Sequence, residues 1–226
     1  MSLRDGTPYS GVLIAVCGLD GSGKTTQVNL LAEQLRTVGP VSVLRPATDA
    51  IRFDQALVDY RNGRLPPDEA HDMVVEMPLM AAADIFRQMR TTILPRLQAG
   101  DFVICDRYVY TSYARAHARG FHDQEWLSAL NRYLPVPNLT LYLDVRPEVA
   151  VNRVLARTKA PKWEETDLDR VSGARSAFLE QPWGRRDTYR VVDAERPAEE
   201  IAEQVREIVA TTLGLTFGDP IAVSSP

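Results

Sequence analysis

The chain has 226 residues, of which 45% are hydrophobic and 25% are charged, an ordinary composition for a globular protein with its own core. A net charge of −4 does not favour nucleic acid as a partner, and no apolar run is long enough to span a membrane. The two cysteines, Cys17 and Cys105, lie in apolar runs, which favours buried thiols and a reducing cytoplasm over a disulfide or metal site.

Five short apolar segments predict the strands of a β-sheet. They are rich in β-branched residues, as expected of strands buried on both faces. In chain order they are GVLIAVCG (11–18), VSVLRP (41–46), DFVICD (101–106), LTLYLDV (139–145) and TYRVVDA (188–194).

Helical patterns separate these strands. The first is KTTQVNLLAEQLRTV, and the second is a long helix, PLMAAADIFRQMRTTILPRLQAG (78–100), which Gly100 should end. A charged helical stretch follows from Pro147 to about Gln181, and PAEEIAEQVREIVATTL (197–213) closes the chain, with Pro197 near its first turn. Alternating strands and helices predict a three-layer α/β fold, a five-stranded parallel sheet flanked by helices. We expect one domain over residues 1–226, with flexible ends at 1–10 and 215–226.

A phosphate-binding loop follows the first strand. Gly18, Gly23, Lys24 and Thr25 fit the pattern G-x-x-x-x-G-K-[ST] and lie between a strand and a helix, as this motif requires. Backbone N–H groups of such a loop face phosphate oxygens, the lysine reaches the β- and γ-phosphates, and the threonine hydroxyl binds Mg²⁺. The pattern therefore predicts ATP with Mg²⁺ and a P-loop NTPase fold. The residues predicted to bind ATP are Gly18, Gly21, Ser22, Gly23, Lys24, Thr25 and Thr26.

The third predicted strand ends in an acid, Asp106. In P-loop proteins an acid at such a position holds the metal ion together with the loop threonine. The sequence therefore predicts Thr25 and Asp106 as the protein ligands of Mg²⁺.

Three segments together carry a family resemblance: GLDGSGKTT, AAADIFRQMRTTILPRLQAGDFVICDRYVYTS and LTLYLDVRPEVAVNRVLAR. They resemble thymidylate kinases, which phosphorylate dTMP, and the similarity runs from about Val12 to Leu213. Its most specific elements are the acid inside the loop, Asp20, and the triplet Asp106-Arg107-Tyr108. The resemblance implies a nucleoside monophosphate kinase with an arginine-bearing lid at about 153–170.

The resemblance also implies which residues bind the acceptor. Asp20 would accept a hydrogen bond from the sugar 3′-hydroxyl, Arg45 would hold the acceptor phosphate, Arg107 would bridge both phosphates, and Tyr108 would shape the site. These roles suit phosphoryl transfer, because two polyanions meet only where positive charge offsets their repulsion. Arginine binds phosphate oxygens in pairs through its planar fork.

The predicted lid contributes further cations. Arg153 and Arg157 lie four residues apart and so share a face of a helix. We favour them, with Lys24 and Arg107, as catalytic residues over Lys159 and Lys162, because a closing lid would bring them onto the phosphates. The segment VVDAERP matches the family's adenine-side loop, which adds Ala194 to the ATP-binding residues.

The departures from the family concentrate on the acceptor base. The family has a phenylalanine that stacks on thymine and an arginine that hydrogen-bonds to its edge, and this chain has Ala81 and Ile85 at those positions. The positions are identified by Asp84, which precedes Asp106 by the spacing found in the family. After the triplet, Thr111 and Ala114 keep the family frame, but Arg115 and Ala116 follow instead of tyrosine and glutamine. Stacking on a base contributes about 1–3 kcal/mol, so a selective thymine pocket would need another ring, and the candidates are Phe53, Phe86 and Tyr113. Alternatively, Ala81 and Ile85 enlarge the pocket for a bulkier or modified base, and Arg115 contacts additional groups of the acceptor. The predicted acceptor site comprises Asp20, Arg45, Ala81, Ile85, Arg107, Tyr108, Thr111 and Arg115.

Three functions remain open from the sequence. The first is a dTMP kinase with a remodelled base pocket, and the second is a kinase of a modified nucleotide or another small acceptor. The third is a regulatory ATPase or GTPase, against which stand the absent N-K-x-D motif and the presence of Arg107. The expected partners are ATP and a small phosphorylated acceptor, without nucleic acid or membrane, and the resemblance implies a homodimer through the long helices. The three histidines, His71, His117 and His122, are interpreted as unpaired surface residues.

Overall fold

The computed structural model describes residues 9–45, 48–180 and 188–217. All five predicted strands are present: β1 Val12–Gly18, β2 Val41–Leu44, β3 Phe102–Asp106, β4 Leu139–Asp144 and β5 Tyr189–Asp193. They form one sheet in the order β2-β3-β1-β4-β5, and every neighbouring pair is parallel. The predicted fold class is therefore confirmed.

The burial of β1 and β3 explains why their sequences are continuously apolar. Six of the seven residues of β1 and all five of β3 are buried, because helices cover both faces of the sheet. The helices are α1 Lys24–Arg36, α2 Asp49–Arg52, α3 Gln55–Arg61, α4 Pro67–Gln88, α5 Leu94–Gln98, α6 Val109–Ala118, α7 Gln124–Asn131, α8 Pro147–Arg157, α9 Leu168–Glu180 and α10 Ala198–Leu213.

The strand order places the predicted site at one edge of the sheet. β1 lies between β3 and β4, and Val16 of β1 is in register with Asp106 of β3. Since both strands run in the same direction, the loop after β1 and the segment after β3 leave the sheet side by side. Ligands of open α/β sheets bind at this carboxyl edge.

The long helix α4 begins at Pro67, inside the segment LPPDEAHDM (65–73), whose pattern predicts a turn followed by a helix start. It continues through Pro78 into the predicted helical stretch, and a π-helical turn, Met89–Ile93, joins it to α5. The end was predicted correctly, since Gly100 follows the last turn with a φ of 87°.

Two short helices between β2 and α4 were not predicted. α3 and the first half of α4 enclose a small apolar cluster of Leu57, Tyr60, Met73 and Met77. We call α2, α3 and this cluster the cap. Asp84 of α4 fixes it to the domain by accepting hydrogen bonds from the backbone N–H of Thr48, at 3.1 Å, and from its hydroxyl, at 2.5 Å.

Several predicted segments extend beyond the described residues. The charged stretch after β4 forms α8 and α9, and the predicted lid spans the end of α8, a short 3₁₀ turn at Trp163–Glu165 and the start of α9. Within the ends expected to be flexible, Tyr9, Leu215 and Phe217 pack against the core. Residues 1–8 and 218–226, together with Pro46, Gln181 and Trp183, lie outside the described residues. No described helix is long and apolar enough to cross a membrane.

Gly11, just before β1, is required by close backbone packing. A Cβ atom there would lie 2.6 Å from the carbonyl oxygen of Asp101 and 2.7 Å from that of Leu97. We expect Gly11→Ala to lower the free energy of unfolding by about 1–3 kcal/mol, because backbone atoms would have to shift. Urea unfolding followed by fluorescence measures this loss. The exposed neighbour Ser10 provides the control, Ser10→Ala. Equal stability of the two variants would contradict the packing argument.

Candidate active site

The predicted phosphate loop lies between β1 and α1. Gly21 and Gly23 have φ angles of 87° and 85°, which residues with a side chain rarely adopt. Gly21 also lies against α8, where a Cβ atom would come within 2.3 Å of the Ala150 carbonyl oxygen. The sequence of this loop is therefore set both by its turn and by its contact with α8.

The remaining predicted ATP-binding residues occupy the same strand-loop-helix unit. Gly18 ends β1, Ser22 is buried in the loop, and Thr25 and Thr26 are exposed in the first turn of α1. Ala194 follows β5, and its backbone N–H donates to the Asp144 carbonyl at 2.8 Å. Ala194 thereby lies at the same carboxyl edge of the sheet.

Lys24 turns back over the loop. Its Nζ donates to the carbonyl oxygen of Leu19 at 2.5 Å and lies 3.4 Å from the Ser22 hydroxyl. Burial, with the positive charge of Arg107, lowers the pKa of Lys24 to about 7, although Asp20 and Asp106 oppose this shift. An incoming phosphate would stabilise the charged form of this lysine and thereby raise its pKa again.

Asp20 joins the phosphate loop to two arginines. One carboxylate oxygen accepts from Nη2 of Arg107, and the other accepts from Nη2 of Arg115 at 2.9 Å. Burial alone would raise the pKa of Asp20, but Arg107, Arg115 and Lys24 outweigh it and hold the pKa well below its usual value. Asp20 is therefore an anion at every pH of interest.

The end of β3 and the segment after it place Asp106 and Arg107 beside the phosphate loop. Arg107 has a φ of 79°, the only positive φ of a non-glycine residue in the described part of the chain. Its backbone N–H donates to the Val16 carbonyl at 2.9 Å, so it stays beside β1. Asp106 is buried, and Nε of Arg45 lies 3.6 Å from its Oδ2. The structure thus brings Arg45, Asp106 and Arg107 together.

Two cavities meet at these residues. The lid cavity lies between the phosphate loop, α6, α9 and the lid; its lining includes Gly18, Asp20, Lys162, Glu164, Glu165 and Arg170. The α4 cavity lies between α4, α6 and the cap; its lining includes Ile51, Leu57, Met77, Ala81, Ile85 and Tyr108. Arg107, Thr111 and Arg115, all predicted acceptor residues, line both cavities, whereas Arg45, which was predicted to hold the acceptor phosphate, lines neither of them.

The α4 cavity has a largely apolar floor with little aromatic surface. Ala81 and Ile85 line it, as their predicted position beside the acceptor base requires. Tyr108 is the only aromatic residue among the described lining residues, and its hydroxyl donates to the Pro135 carbonyl at 2.9 Å. None of the three rings considered as substitutes lines either cavity: Phe53 is 71% exposed, while Phe86 and Tyr113 pack in the core.

The two lid arginines, Arg153 and Arg157, do not line either cavity. Nη1 of Arg153 donates to the Ala194 carbonyl at 2.8 Å and lies 3.5 Å from that of Gly21, so it links the loop after β5 to the phosphate loop. Arg157 is exposed and lines neither cavity, whereas Lys162 lines the lid cavity and donates to Glu165 at 3.0 Å.

Sequence reasoning missed the residues through which the lid contacts the rest of the site. Glu164 accepts two hydrogen bonds from Arg119, at 2.7 and 2.8 Å, and Arg170 lies 3.7 Å away. Trp163 donates its indole N–H to the Tyr60 carbonyl of the cap at 3.2 Å. The four-residue spacing of Arg115 and Arg119, which predicts a shared helix face, was the available signal for Arg119.

The expectation that the histidines lack partners is wrong for two of them. The Nδ1 atoms of His117 and His122 lie 3.2 Å apart, and the rings meet edge to face. The turn at Gly120, with a φ of 89°, folds the chain back after α6 and brings them together. His71 is exposed, as expected.

A phosphate loop, an Asp–Arg pair beside it and an arginine-lined second cavity define the class of P-loop nucleoside monophosphate kinases. A family model described as thymidylate kinase matches residues 16–205. The chain belongs to the thymidylate kinase family.

Similar proteins come from archaea and bacteria. A probable thymidylate kinase of Archaeoglobus fulgidus is 37% identical over 206 residues, which cover 90% of this chain and 97% of that protein. A probable thymidylate kinase of Pyrococcus abyssi is 32% identical, covering 88% of this chain and 96% of that protein. A thymidylate kinase of Xanthomonas oryzae is 34% identical, covering 90% of this chain and 85% of that protein.

The pKa of Lys24 predicts proton uptake when a nucleotide binds. Above about pH 7 the free protein holds Lys24 mainly neutral, and phosphate oxygens beside it would raise its pKa again. Binding of ATP with Mg²⁺ at pH 8 should therefore take up about one proton. Calorimetry in buffers of different ionisation enthalpy measures this number. At pH 6, where Lys24 is already charged, the uptake should fall toward zero. A heat of binding that does not depend on the buffer at pH 8 would contradict the prediction.

Proposed function

We propose that this protein transfers the γ-phosphoryl group of ATP to dTMP and releases dTDP and ADP. The observation that supports this most strongly is the junction of the two cavities. There Asp20 of the phosphate loop binds Arg107, the arginine next to Asp106. A protein that only hydrolysed a nucleotide would need no second cavity lined by arginines beside its phosphate loop.

The chemistry requires positioning and charge rather than proton abstraction. The second pKa of a phosphate monoester is about 6, so the acceptor phosphate is already a nucleophile at neutral pH. Asp20, whose pKa lies well below its usual value, does not hold a proton at that pH and would act as a hydrogen-bond acceptor for the sugar hydroxyl. We assign Lys24 and Arg107 to the charge that develops on the transferred group.

The residues at the carboxyl edge suit Mg²⁺ as the ion that accompanies ATP. Asp106 and Thr25 offer a carboxylate and a hydroxyl oxygen, the hard ligands that Mg²⁺ prefers. Mg²⁺ usually keeps several water ligands and binds through one or two protein groups together with substrate phosphates. When bound, Mg²⁺ would offset the charge of the phosphates.

A second candidate is a kinase of a modified pyrimidine nucleotide. It is favoured by the lining of the α4 cavity, where Ala81 and Ile85 leave Tyr108 as the only aromatic residue of the described lining. Such a cavity can take a larger base than thymine, although it offers less stacking than a ring directly opposite the base would.

Further assignments remain proposals. We keep Arg153 and Arg157 as lid residues; Arg153 lies beside Gly21 and Ala194, which suits a contact with ATP. A homodimer through α4 is supported by the exposed apolar side chains of Val75 and Leu79. A cytoplasmic location is supported by the two free, buried thiols, Cys17 and Cys105.

The experiment measures ADP release with ATP and Mg²⁺ held constant, across dTMP, dUMP, the other nucleoside monophosphates and no acceptor. We expect dTMP to give the highest kcat/KM and the reaction without acceptor to be slow. Arg107→Gln should lower kcat with dTMP by about 10²–10³, because it removes a donor from the developing charge.

Two other outcomes have distinct meanings. Weak turnover with every acceptor, but above the control, would favour the modified-nucleotide kinase. ADP release that does not depend on any acceptor would contradict the kinase proposal and favour a regulatory ATPase.

A further inference from the structure

The boundary between the lid cavity and the α4 cavity is built almost entirely from cations. Five residues line both cavities, and four of them carry a guanidinium group: Arg61, Arg107, Thr111, Arg115 and Arg119. A boundary of this charge is suited to an anion that passes from one cavity to the other.

Three of the four arginines already have a carboxylate partner. Arg107 and Arg115 share Asp20, and Arg119 is held by both oxygens of Glu164. Arg61 differs from them, since it forms no ion pair with any described residue although it is partly buried. Its neighbour on the chain, Arg64, is an ordinary surface arginine, 67% exposed and 3.5 Å from Asp59.

The surroundings of Arg61 are unfavourable for a cation without a ligand. Burial, followed by the positive charges of Arg115 and Arg119, lowers the pKa of Arg61, and Glu164 and Glu165 oppose the shift only in part. Removing a charge from water without a partner costs free energy, and a ligand anion would offset that cost.

A second observation at the same boundary indicates a polar ligand. Thr111 is 6% exposed, and its hydroxyl oxygen has no hydrogen-bond partner among the described residues. Buried hydroxyls almost always have a partner, and a bound ligand could supply it here.

We propose that Arg61 binds the phosphate group of the acceptor and that the Thr111 hydroxyl hydrogen-bonds to the same acceptor. This inference rests on the proposed function and adds a residue to its acceptor site. Arg61 belongs to the acceptor side because α3 packs on α4 in the cap, while the phosphate loop at the start of α1 holds ATP. The planar fork of arginine suits a phosphate dianion.

The test compares Arg61→Gln with Arg64→Gln, two substitutions that remove the same charge from the same end of α3. We expect Arg61→Gln to raise the KM for dTMP by about tenfold or more, since a charge-assisted hydrogen bond is lost. The KM for ATP should stay within about twofold. Arg64→Gln should leave both constants unchanged, and Arg61→Lys, which keeps the charge but not the fork, should lie between.

Two results would overturn the proposal. In the first, Arg61→Gln changes the KM for dTMP no more than Arg64→Gln does. In the second, it raises the KM for ATP and for dTMP equally. Thermal unfolding of each variant shows whether the cap is intact, and Arg61→Lys carries the comparison if Arg61→Gln does not fold.

A separate arm distinguishes this inference from the proposed function. If the wild-type protein does not phosphorylate dTMP, inorganic phosphate is titrated calorimetrically with the phosphate loop filled by a non-hydrolysable ATP analogue. Binding that Arg61→Gln weakens about tenfold and Arg64→Gln does not would support the anion site. Equal binding by both variants, or no binding by the wild type, would overturn it.

Discussion

The contact on which the site depends is the carboxylate of Asp20 held between Arg107 and Arg115. It ties the phosphate loop to the segment after β3 and to α6, whose arginines lie 87 and 95 residues further along the chain. In this position Arg107 has a left-handed backbone conformation, which costs a residue with a side chain about 1–2 kcal/mol. Such strain persists where surrounding contacts fix it, here the bond to the Val16 carbonyl and the pair with Asp20.

The lid and the cap extend the same arrangement outward. Trp163 of the lid packs on Tyr60 of the cap, and Glu164 binds Arg119 at the end of α6. The lid therefore contacts the cap through Trp163 and contacts α6 through Glu164, and Glu164 and Arg119 also line the lid cavity.

How far the sequence predicts this protein depends on the range of the interactions involved. Strands and the phosphate loop follow from local patterns, since β1 is apolar because it is buried and Gly21 is required by the turn it makes. The short helices of the cap could not be predicted, because tertiary contacts such as that of Asp84 with Thr48 stabilise them. The role of Arg61 could not be predicted either, because its position beside other arginines depends on tertiary contacts that the neighbouring sequence does not show. Ala81 and Ile85 line the α4 cavity, but none of the three rings considered as substitutes for the family's phenylalanine does.

The most direct measurement of the central claim is the fate of the γ-phosphoryl group, followed by ³¹P NMR in a mixture of ATP, Mg²⁺, dTMP and the protein. If the junction at Asp20 joins a donor site to an acceptor site, ADP and dTDP accumulate together in equal amounts and inorganic phosphate stays low. Accumulation of inorganic phosphate with ADP, while dTMP is unchanged, would contradict the account and leave only a nucleotide hydrolase.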